Sequence, residues 1–232
     1  VDTTSDLNIK EKYISRFSVG LIFKKDVDLL RKIDQIEMVV QDFINVKAEI
    51  LGVPADASPT DVRLAFRSGD DHAFFSFLSS YLFFDLSDSG NDEERKTKIS
   101  SIVSLLTTKL GSIFDIVGLG IEVYLQYPMS NVYSVPNYIN THVARLKNFG
   151  SVVNTNINVS YQLDDLFLSV AINPYQRTSN GNNLDGGVQL QLELKNIDIS
   201  SEDVDNFSSS SPNKLNEEEI ARILSNFYII LS

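Results

Sequence analysis

Apolar and polar residues alternate in several stretches of the first half of the chain. Over Ser15–Phe23 the apolar residues fall at every second position, which predicts a strand with one buried face. Val117–Tyr127 alternates in the same way and predicts a second strand. A short strand is expected over Lys47–Val53, ended by Pro54, because proline cannot donate to a ladder of backbone hydrogen bonds.

The segment between residues 58 and 86 allows two interpretations at its start. Ser58–Asp61 is typical of a helix start, whereas Val62–Phe66 alternates like a strand, and we favour the strand because the turn residues Gly69–Asp71 follow. The next alternating run, Phe74–Leu86, is too long for one strand. A turn at Ser79–Ser80 is therefore predicted to divide it.

After residue 152 the alternating runs come close together. Val153–Tyr161 and Leu166–Ile172 flank the turn residues Asp164–Asp165 and predict a hairpin. The Asn- and Gly-rich segment Thr178–Gly187 is predicted to be a loop, and a third strand is expected over Val188–Ile197. These strands predict an antiparallel meander with one face in water.

Helical spacing of apolar residues occurs in three places, with a weaker pattern in a fourth. A helix is predicted to open at Asp26 and to continue to Ile44, and a second helix carries its apolar stripe from Ile99 to Ile113. A weaker helix is expected over Asn137–Phe149. Asn216, with Glu219 three residues later, predicts the start of a C-terminal helix.

This order of elements predicts an α+β fold, with largely antiparallel sheets packed against two long helices and a C-terminal helix. Residues 1–12 are polar and are expected to form a flexible N-terminus, followed by one domain over residues 13–232. Two sub-sheets divided near residues 130–150 are an open alternative.

Composition narrows the possible partners. The net charge of −11 in 232 residues disfavours nucleic acid and anionic membranes, because both attract cationic surfaces. The chain has no cysteine and no apolar run of membrane-spanning length, so we predict no Cys-ligated metal and no membrane span. A cytoplasmic location is expected, although the chain does not begin with Met and a removed leader stays open.

Candidate catalytic residues are few. The two histidines are His72, predicted to lie in a solvated turn beside Asp70 and Asp71, and His142 in the weak helix. Gly118–Gly120 begins a predicted strand and lacks the following helix that a phosphate site needs. No metal or cofactor is therefore expected, and no catalytic or ligand-binding residue is assigned.

Acidic residues are the only plentiful reactive groups. One cluster lies between residues 85 and 94, and its position before a helix is explained by the helix dipole; its members are Asp85, Asp88, Asp92, Glu93 and Glu94. Asn158 and Asn206 match the glycosylation pattern, which matters only in a secreted protein. Serines such as Ser79–Ser80 and Ser208–Ser211 lie in predicted turns or linkers.

Two resemblances to known families can be described. Leu51–Arg67 resembles the opening half of a J-domain chaperone module, but Ser68–Ala73 lacks that family's His-Pro-Asp tripeptide, so we regard the likeness as coincidental. The layout of residues 14–128 and 150–231 resembles a sporadically distributed prokaryotic family of about 250 residues with no assigned function. In that family the strand after the long helix carries an Arg, which Val117–Pro128 lacks. This resemblance implies no activity and transfers no site residue.

These observations favour a non-enzymatic binding or assembly module. The aromatic run Phe74–Phe84 puts apolar groups on both faces, so we expect a protein partner or a homo-oligomer, formed through an exposed strand or through this surface. The alternative is a carboxylate-based hydrolase or small-ligand-binding domain, with a pocket between helices and sheet. An acidic mimic of DNA is a third possibility.

Overall fold

The computed structural model describes residues 12–129, 135–139, 156–179, 183–196 and 214–231. Within them a single sheet contains nine strands, all paired antiparallel. The strands are β1 (Tyr13–Phe23), β2 (Glu49–Ile50), β3 (Leu64–Ser68), β4 (Asp71–Phe75), β5 (Ser79–Asp85), β6 (Ile116–Pro128), β7 (Ile157–Leu163), β8 (Leu166–Ser179) and β9 (Asn183–Lys195). Their order across the sheet is β2-β3-β4-β5-β1-β6-β9-β8-β7.

The helices are shorter and less even than the strands. They are α1 (Ile33–Val40), preceded by a 3₁₀ turn at Leu29–Lys32, then α2 (Asp92–Gly111), α3 (Val135–Tyr138) and α4 (Glu217–Leu231). The core lies between α1, α2, α4 and one face of the sheet. We call this the covered face.

The alternation of the strands decides which residues reach the core. On β1 the side chains of Phe17, Val19, Leu21 and Phe23 point into the covered face and are almost fully buried. Their partners on β5 and β6 continue the same apolar rows, for example Phe84 and Val123 beside Phe17. The strand predicted over Ser15–Phe23 and the mixed α+β class with a largely antiparallel sheet are therefore confirmed.

Two helices begin at a reciprocal Asn–Glu capping pair, and the pair at Asn216 is the one that the sequence predicts. The Asn91 side chain accepts a hydrogen bond from the Glu94 N–H at 3.0 Å, and the Glu94 carboxylate accepts one from the Asn91 N–H at 3.0 Å. Asn216 and Glu219 form the same reciprocal pair, with both distances at 2.9 Å. Each pair satisfies backbone donors that a helix start otherwise leaves open.

The prediction of two long helices plus a C-terminal helix is wrong, because the first helix is broken. The Asp26 N–H is held by the Phe77 carbonyl at 2.8 Å, and the Asp26 carboxylate accepts from the Asp28 N–H at 3.0 Å. These bonds hold the segment in a turn, and only the eight residues of α1 are α-helical. The apolar spacing correctly indicates buried side chains, since Leu29 and Ile36 are buried. The backbone that places them in the core is a 3₁₀ turn followed by α1 and not one long helix.

Two turn positions also differ from the prediction. The chain reverses at Ser76–Leu78 instead of Ser79–Ser80, because the Ser76 hydroxyl accepts from the Ser79 N–H at 3.0 Å. The expected loop over residues 178–187 largely belongs to β8 and β9. Gly187 has a packing reason, since a Cβ there would lie 2.0 Å from the Tyr127 carbonyl oxygen on β6.

The two runs of strands join through β6 and β9. These strands are paired from Gly120 with Lys195 to Pro128 with Gly187, so the meander continues the first sheet. The Asp164–Asp165 turn of the predicted β7–β8 hairpin is present, with Asp164 at a φ of 55°. Residues 1–11 and 140–155, on which the flexible N-terminus and most of the weak helix were predicted, lie outside the described residues.

Candidate ligand-binding groove

One sheet face carries polar residues and aromatic rings. On β1 it presents Arg16, Ser18, Gly20 and Ile22, which alternate with the buried residues of the covered face. We call it the open face. Strand pairing places Tyr81, Gly20, Gly120 and Lys195 next to one another in one row across β5, β1, β6 and β9.

Two glycines in register form the floor of a groove in the middle of this row. Gly20 and Gly120 are direct partners on β1 and β6. A Cβ at Gly20 would lie 3.9 Å from the Tyr81 ring, and one at Gly120 would lie 3.5 Å from the Lys195 Cβ, so each position has room that no side chain fills. The resulting groove has a volume of about 190 Å³. Its lining also includes Ser18, Ser79, Glu122 and Glu193.

The Glu122 carboxylate organises one wall of the groove. Its Oε2 accepts hydrogen bonds from Ser18 Oγ at 2.8 Å and from the Tyr81 hydroxyl at 2.9 Å, and its Oε1 accepts one from the Gln191 amide. These donors occupy three of about four acceptor positions on an ionised carboxylate. Glu122 is therefore held in one orientation, and its charge is compensated by donors from three other strands.

Two tyrosines beside Glu122 stay protonated at neutral pH. Burial raises the pKa of Tyr81 far above its ordinary value, and the Glu122 charge adds to this effect. Burial and the same charge raise the pKa of Tyr124 to about 12. Loss of either proton would place a phenolate next to a carboxylate. Both hydroxyls consequently keep their protons, and in the groove wall the Tyr81 hydroxyl donates to Glu122.

A second carboxylate faces Glu122 across the strand boundary. Glu122 on β6 and Glu193 on β9 are direct partners, and both line the groove. Lys195 follows on the same face of β9. Like charges in directly opposed positions are unfavourable unless a cation lies close by. The groove thus contains two carboxylates and one ammonium group.

Aromatic and cationic side chains continue beside the groove. The Arg16 guanidinium lies 5.5 Å from the centre of the Phe83 ring, and Arg67 lies 5.7 Å from that of Phe74. His72 stacks on Phe83, with 6.4 Å between ring centres. The open face therefore carries aromatic rings with cationic side chains packed against them beside the groove, which is a common composition of contact surfaces.

His72 does not lie in the predicted turn. It belongs to β4, is half-buried on the open face, and its Nδ1 is buried without a hydrogen-bond partner in the described part of the chain. The Asp71 carboxylate accepts from the Asp85 N–H at 2.8 Å, and Asp70 belongs to the exposed turn before β4. His142 lies outside the described residues, as do Asn206 and Ser208–Ser211.

Four of the five acidic residues in the cluster before α2 have structural partners. Asp85 accepts from the Ser87 hydroxyl at 2.7 Å, Asp92 pairs with Arg95 at 3.2 Å, and Glu93 pairs with Lys96 at 2.9 Å. Glu94 completes the cap of α2. Among the residues that the structure describes, no group of three or more histidines and acids is arranged to hold a metal ion.

A second cavity, of about 250 Å³, lies where α2 ends against the segment after β1. It is lined by four lysines, Lys24, Lys25, Lys32 and Lys214, and by Asp26 and Asp115. Lys32 pairs with Asp26 and donates to the Ile113 carbonyl at 3.1 Å, and Lys214 donates to the Gly111 carbonyl at 3.0 Å. Carbonyl groups at a helix end attract cations, which accounts for these two lysines.

The residues of the groove were not singled out from the sequence. Gly120 belongs to the Gly118–Gly120 pattern, which lacks the helix of a phosphate site, and no local spacing links Tyr81, Glu122 and Glu193. One signal was present, since a glycine inside a strand can mark a place where a ligand approaches the backbone closely. Asn158 lies on β7, and Ser79 and Ser80 begin β5.

The fold and the groove define an α+β protein with one large antiparallel sheet, helices on one face and a polar groove on the other. A scan with protein-family models found no match for the chain, and a search of curated proteins found no significant match. No helix in the described segments has both the length and the apolar character needed to cross a lipid bilayer. The resemblance to a prokaryotic family, the cytoplasmic location and the absence of a nucleic-acid partner stay predictions.

Proposed function

We propose that the protein is a non-enzymatic binding module whose open face takes a small amine-bearing molecule in the groove. The observation that carries this proposal is the unfilled space above Gly20 and Gly120, bordered by Tyr81, Glu122 and Glu193. Glycine weakens the middle of a strand, so two glycines in register in the central strands are unfavourable unless close approach to the backbone has a use.

The charges in the groove favour an amine as the ligand over an anion. Acids outnumber bases two to one among the charged residues of the groove, which are Glu122, Glu193 and Lys195. The net charge of −11 raises the concentration of cations near the surface. The Tyr81 ring adds an aromatic wall, and aromatic faces attract ammonium groups. A ligand ammonium in the groove can pair with the carboxylates of Glu122 and Glu193, since ionised acceptors form the stronger hydrogen bonds.

The test uses putrescine, a short diamine, with 1,4-butanediol as its neutral counterpart. Backbone amide NMR shifts at Gly20 and Gly120 should follow putrescine titration with a dissociation constant of about 1 mM or below, and butanediol should leave them unchanged. Gly120→Val places methyl groups in the groove and should weaken putrescine binding at least about tenfold. Gly52→Val is the matched control, because nothing lies within 4 Å of a Cβ at that position.

Two results would contradict this function. If putrescine moves no amide resonance of the groove, or if Gly52→Val and Gly120→Val reduce binding equally, the groove is not the ligand site. Val is a good strand residue and a Cβ at Gly120 meets only ordinary contacts, so Gly120→Val is expected to fold. A circular dichroism spectrum matching wild type checks this.

A carboxylate-based hydrolase is the second candidate. The direct pairing of Glu122 with Glu193 favours it, because hydrolysis of glycosidic bonds uses two carboxyl groups close together. The groove lies on the open face, whereas the pocket for this alternative was expected between helices and sheet. Turnover of aryl glycosides that disappears in both Glu122→Gln and Glu193→Gln would establish this candidate. Binding without turnover would favour the first.

A further inference from the structure

The two outer edges of the sheet end in very different strands. At one edge β2 has two residues, and its Glu49 forms an ion pair with Arg67 at 2.7 Å. At the other edge β7 has seven residues, Ile157–Leu163, paired only with β8 in the described part of the chain. A strand at an edge has backbone groups that can pair with another strand.

The edge strand β7 lacks the features that normally prevent such pairing. Its sequence contains no charged residue and no proline. Val159, Tyr161 and Leu163 are 39%, 51% and 42% exposed and lie on the same side of the strand. Proteins usually protect long edges with charges, prolines, bulges or short strands. An unprotected apolar edge of this length indicates a surface that is covered in the working protein.

We infer that β7 pairs antiparallel with β7 of a second copy, joining two sheets across a two-fold axis. The pairing centred on Ser160 is self-complementary: Val159 meets Tyr161 of the second copy and Ile157 meets Leu163, all on the covered-face side. Asn158 meets Gln162 on the open-face side. Aromatic and β-branched residues in opposed positions are favourable cross-strand pairs.

The self-complementary row along β7 favours a second copy of the chain as the partner, and charge explains why two copies meet at this place. Each copy carries a net charge of −11, so contact over most of the surface is repulsive. Along β7 no charges are opposed. The acidic Asp164–Asp165 turns fall at opposite ends of the paired strands, and the two Asp164 positions are about 27 Å apart, since about eight residues at 3.4 Å each separate them. That is well beyond the screening length of about 8 Å in physiological salt.

Sedimentation equilibrium over about 1–200 µM protein tests the pairing. Wild type should approach twice the 26.0 kDa mass of one chain as concentration rises. The double variant Val159→Lys with Tyr161→Lys places lysines opposite each other in the dimer. Val159→Glu with Tyr161→Glu places glutamates opposite each other. Because like charges repel, each variant alone should be monomeric. A mixture of the two should recover the dimer through Lys–Glu pairs. Val27→Lys with Ile229→Lys is the control, since both residues are exposed elsewhere.

A thiol test checks the register. The chain has no cysteine, so Ser160→Cys gives each copy a single thiol directly opposite its counterpart. Asn158→Cys lies on the same strand and face, but its counterpart is offset by four residues, about 14 Å. A disulfide requires Cβ atoms within about 4.5 Å. Oxidation should therefore cross-link the Ser160→Cys protein at least about tenfold faster than the Asn158→Cys protein.

Three results would overturn the inference. Wild type that stays monomeric over the whole concentration range would show that another part of the chain or another protein covers β7. A dimer that persists in the lysine variant would place the interface on a different surface. Equal cross-linking at residues 158 and 160 would exclude this register. Thermal unfolding of each variant verifies that it is folded.

Discussion

The two faces of the sheet use the same strands for different purposes. On β1 the covered face receives Phe17 and Val19, which are fully buried, while the open face receives Ser18 and Gly20. The covered face is continuous and apolar across β5, β1, β6 and β9. The open face holds a carboxylate bonded by three donors and a groove beside it. Alternation alone separates these two environments by one residue.

This difference shows where stability and specificity are located. Burial of apolar area on the covered face supplies most of the driving force for folding, because it removes that area from water. The open face contributes little apolar burial, and its polar network restrains side chains that would otherwise move freely. Changes on the covered face should thus lower the free energy of unfolding most, whereas changes on the open face should lower it less and should also act on binding.

The largest expected difference comes from truncating one ring on each face. Phe17 is fully buried and stacks on Phe84 at 4.9 Å, so Phe17→Ala should lower the free energy of unfolding by about 4 kcal/mol. Phe83 is half-buried on the open face, and Phe83→Ala should cost about 1 kcal/mol. Urea unfolding monitored by circular dichroism measures both. Equal losses would mean that the open face is covered in solution.

Removal of the Glu122 carboxylate is the next largest effect. In Glu122→Ala the hydroxyl of Ser18, a residue that is 1% exposed, loses its acceptor, and so do the donors of Tyr81 and Gln191. Because buried donors are left unpaired, the free energy of unfolding should fall by about 2 kcal/mol, which urea unfolding measures. Glu93→Ala is the control, because Glu93 is exposed and pairs with Lys96 on the surface, so a change within about 0.5 kcal/mol is expected. A loss no greater than that in Glu122→Ala would contradict the organising role of this residue.

The covered face was largely predictable from the sequence, and the groove was not. The local period of two predicts that Phe17, Val19 and Leu21 share one face of a strand, and the spacing of three between Asn216 and Glu219 predicts a helix start. Such signals need only neighbouring residues. Ser18 and Glu122 are 104 residues apart, and only strand order brings them together. Pattern analysis predicts that a strand exists but does not determine its neighbours.

The broken first helix shows a similar limit on a local pattern. Leu29, Ile36 and Ile44 fall on one apolar stripe and are all buried, as a helix predicts. The Asp26 N–H nevertheless donates a hydrogen bond to the Phe77 carbonyl. Phe77 lies 51 positions further along the chain, so no pattern among neighbouring residues includes it. A tertiary hydrogen bond of this kind overrides the tendency of residues 26–32 to continue as α-helix.

The smallest expected effect concerns an ion pair that joins the outer strands to the helix layer. Arg222 on α4 donates two hydrogen bonds to Asp165 in the β7–β8 turn, at 2.7 and 2.5 Å. The Arg222 hydrogen bond lowers the pKa of Asp165 below its ordinary 3.8. Both side chains are largely exposed, so screening by solvent limits Asp165→Asn to a loss of about 0.5 kcal/mol at pH 7.

The pH dependence distinguishes this ion pair from simple packing. Because the pKa is lower in the folded state, the unfolded chain binds the proton first as acid is added. The stability from the pair is therefore complete above about pH 4 and disappears as pH falls through the lower, folded pKa. Urea midpoints of wild type and Asp165→Asn, compared at one protein concentration, should differ at pH 7 and converge near pH 2. A constant difference down to pH 2 would show that the amide disturbs the turn and that the charge contributes nothing.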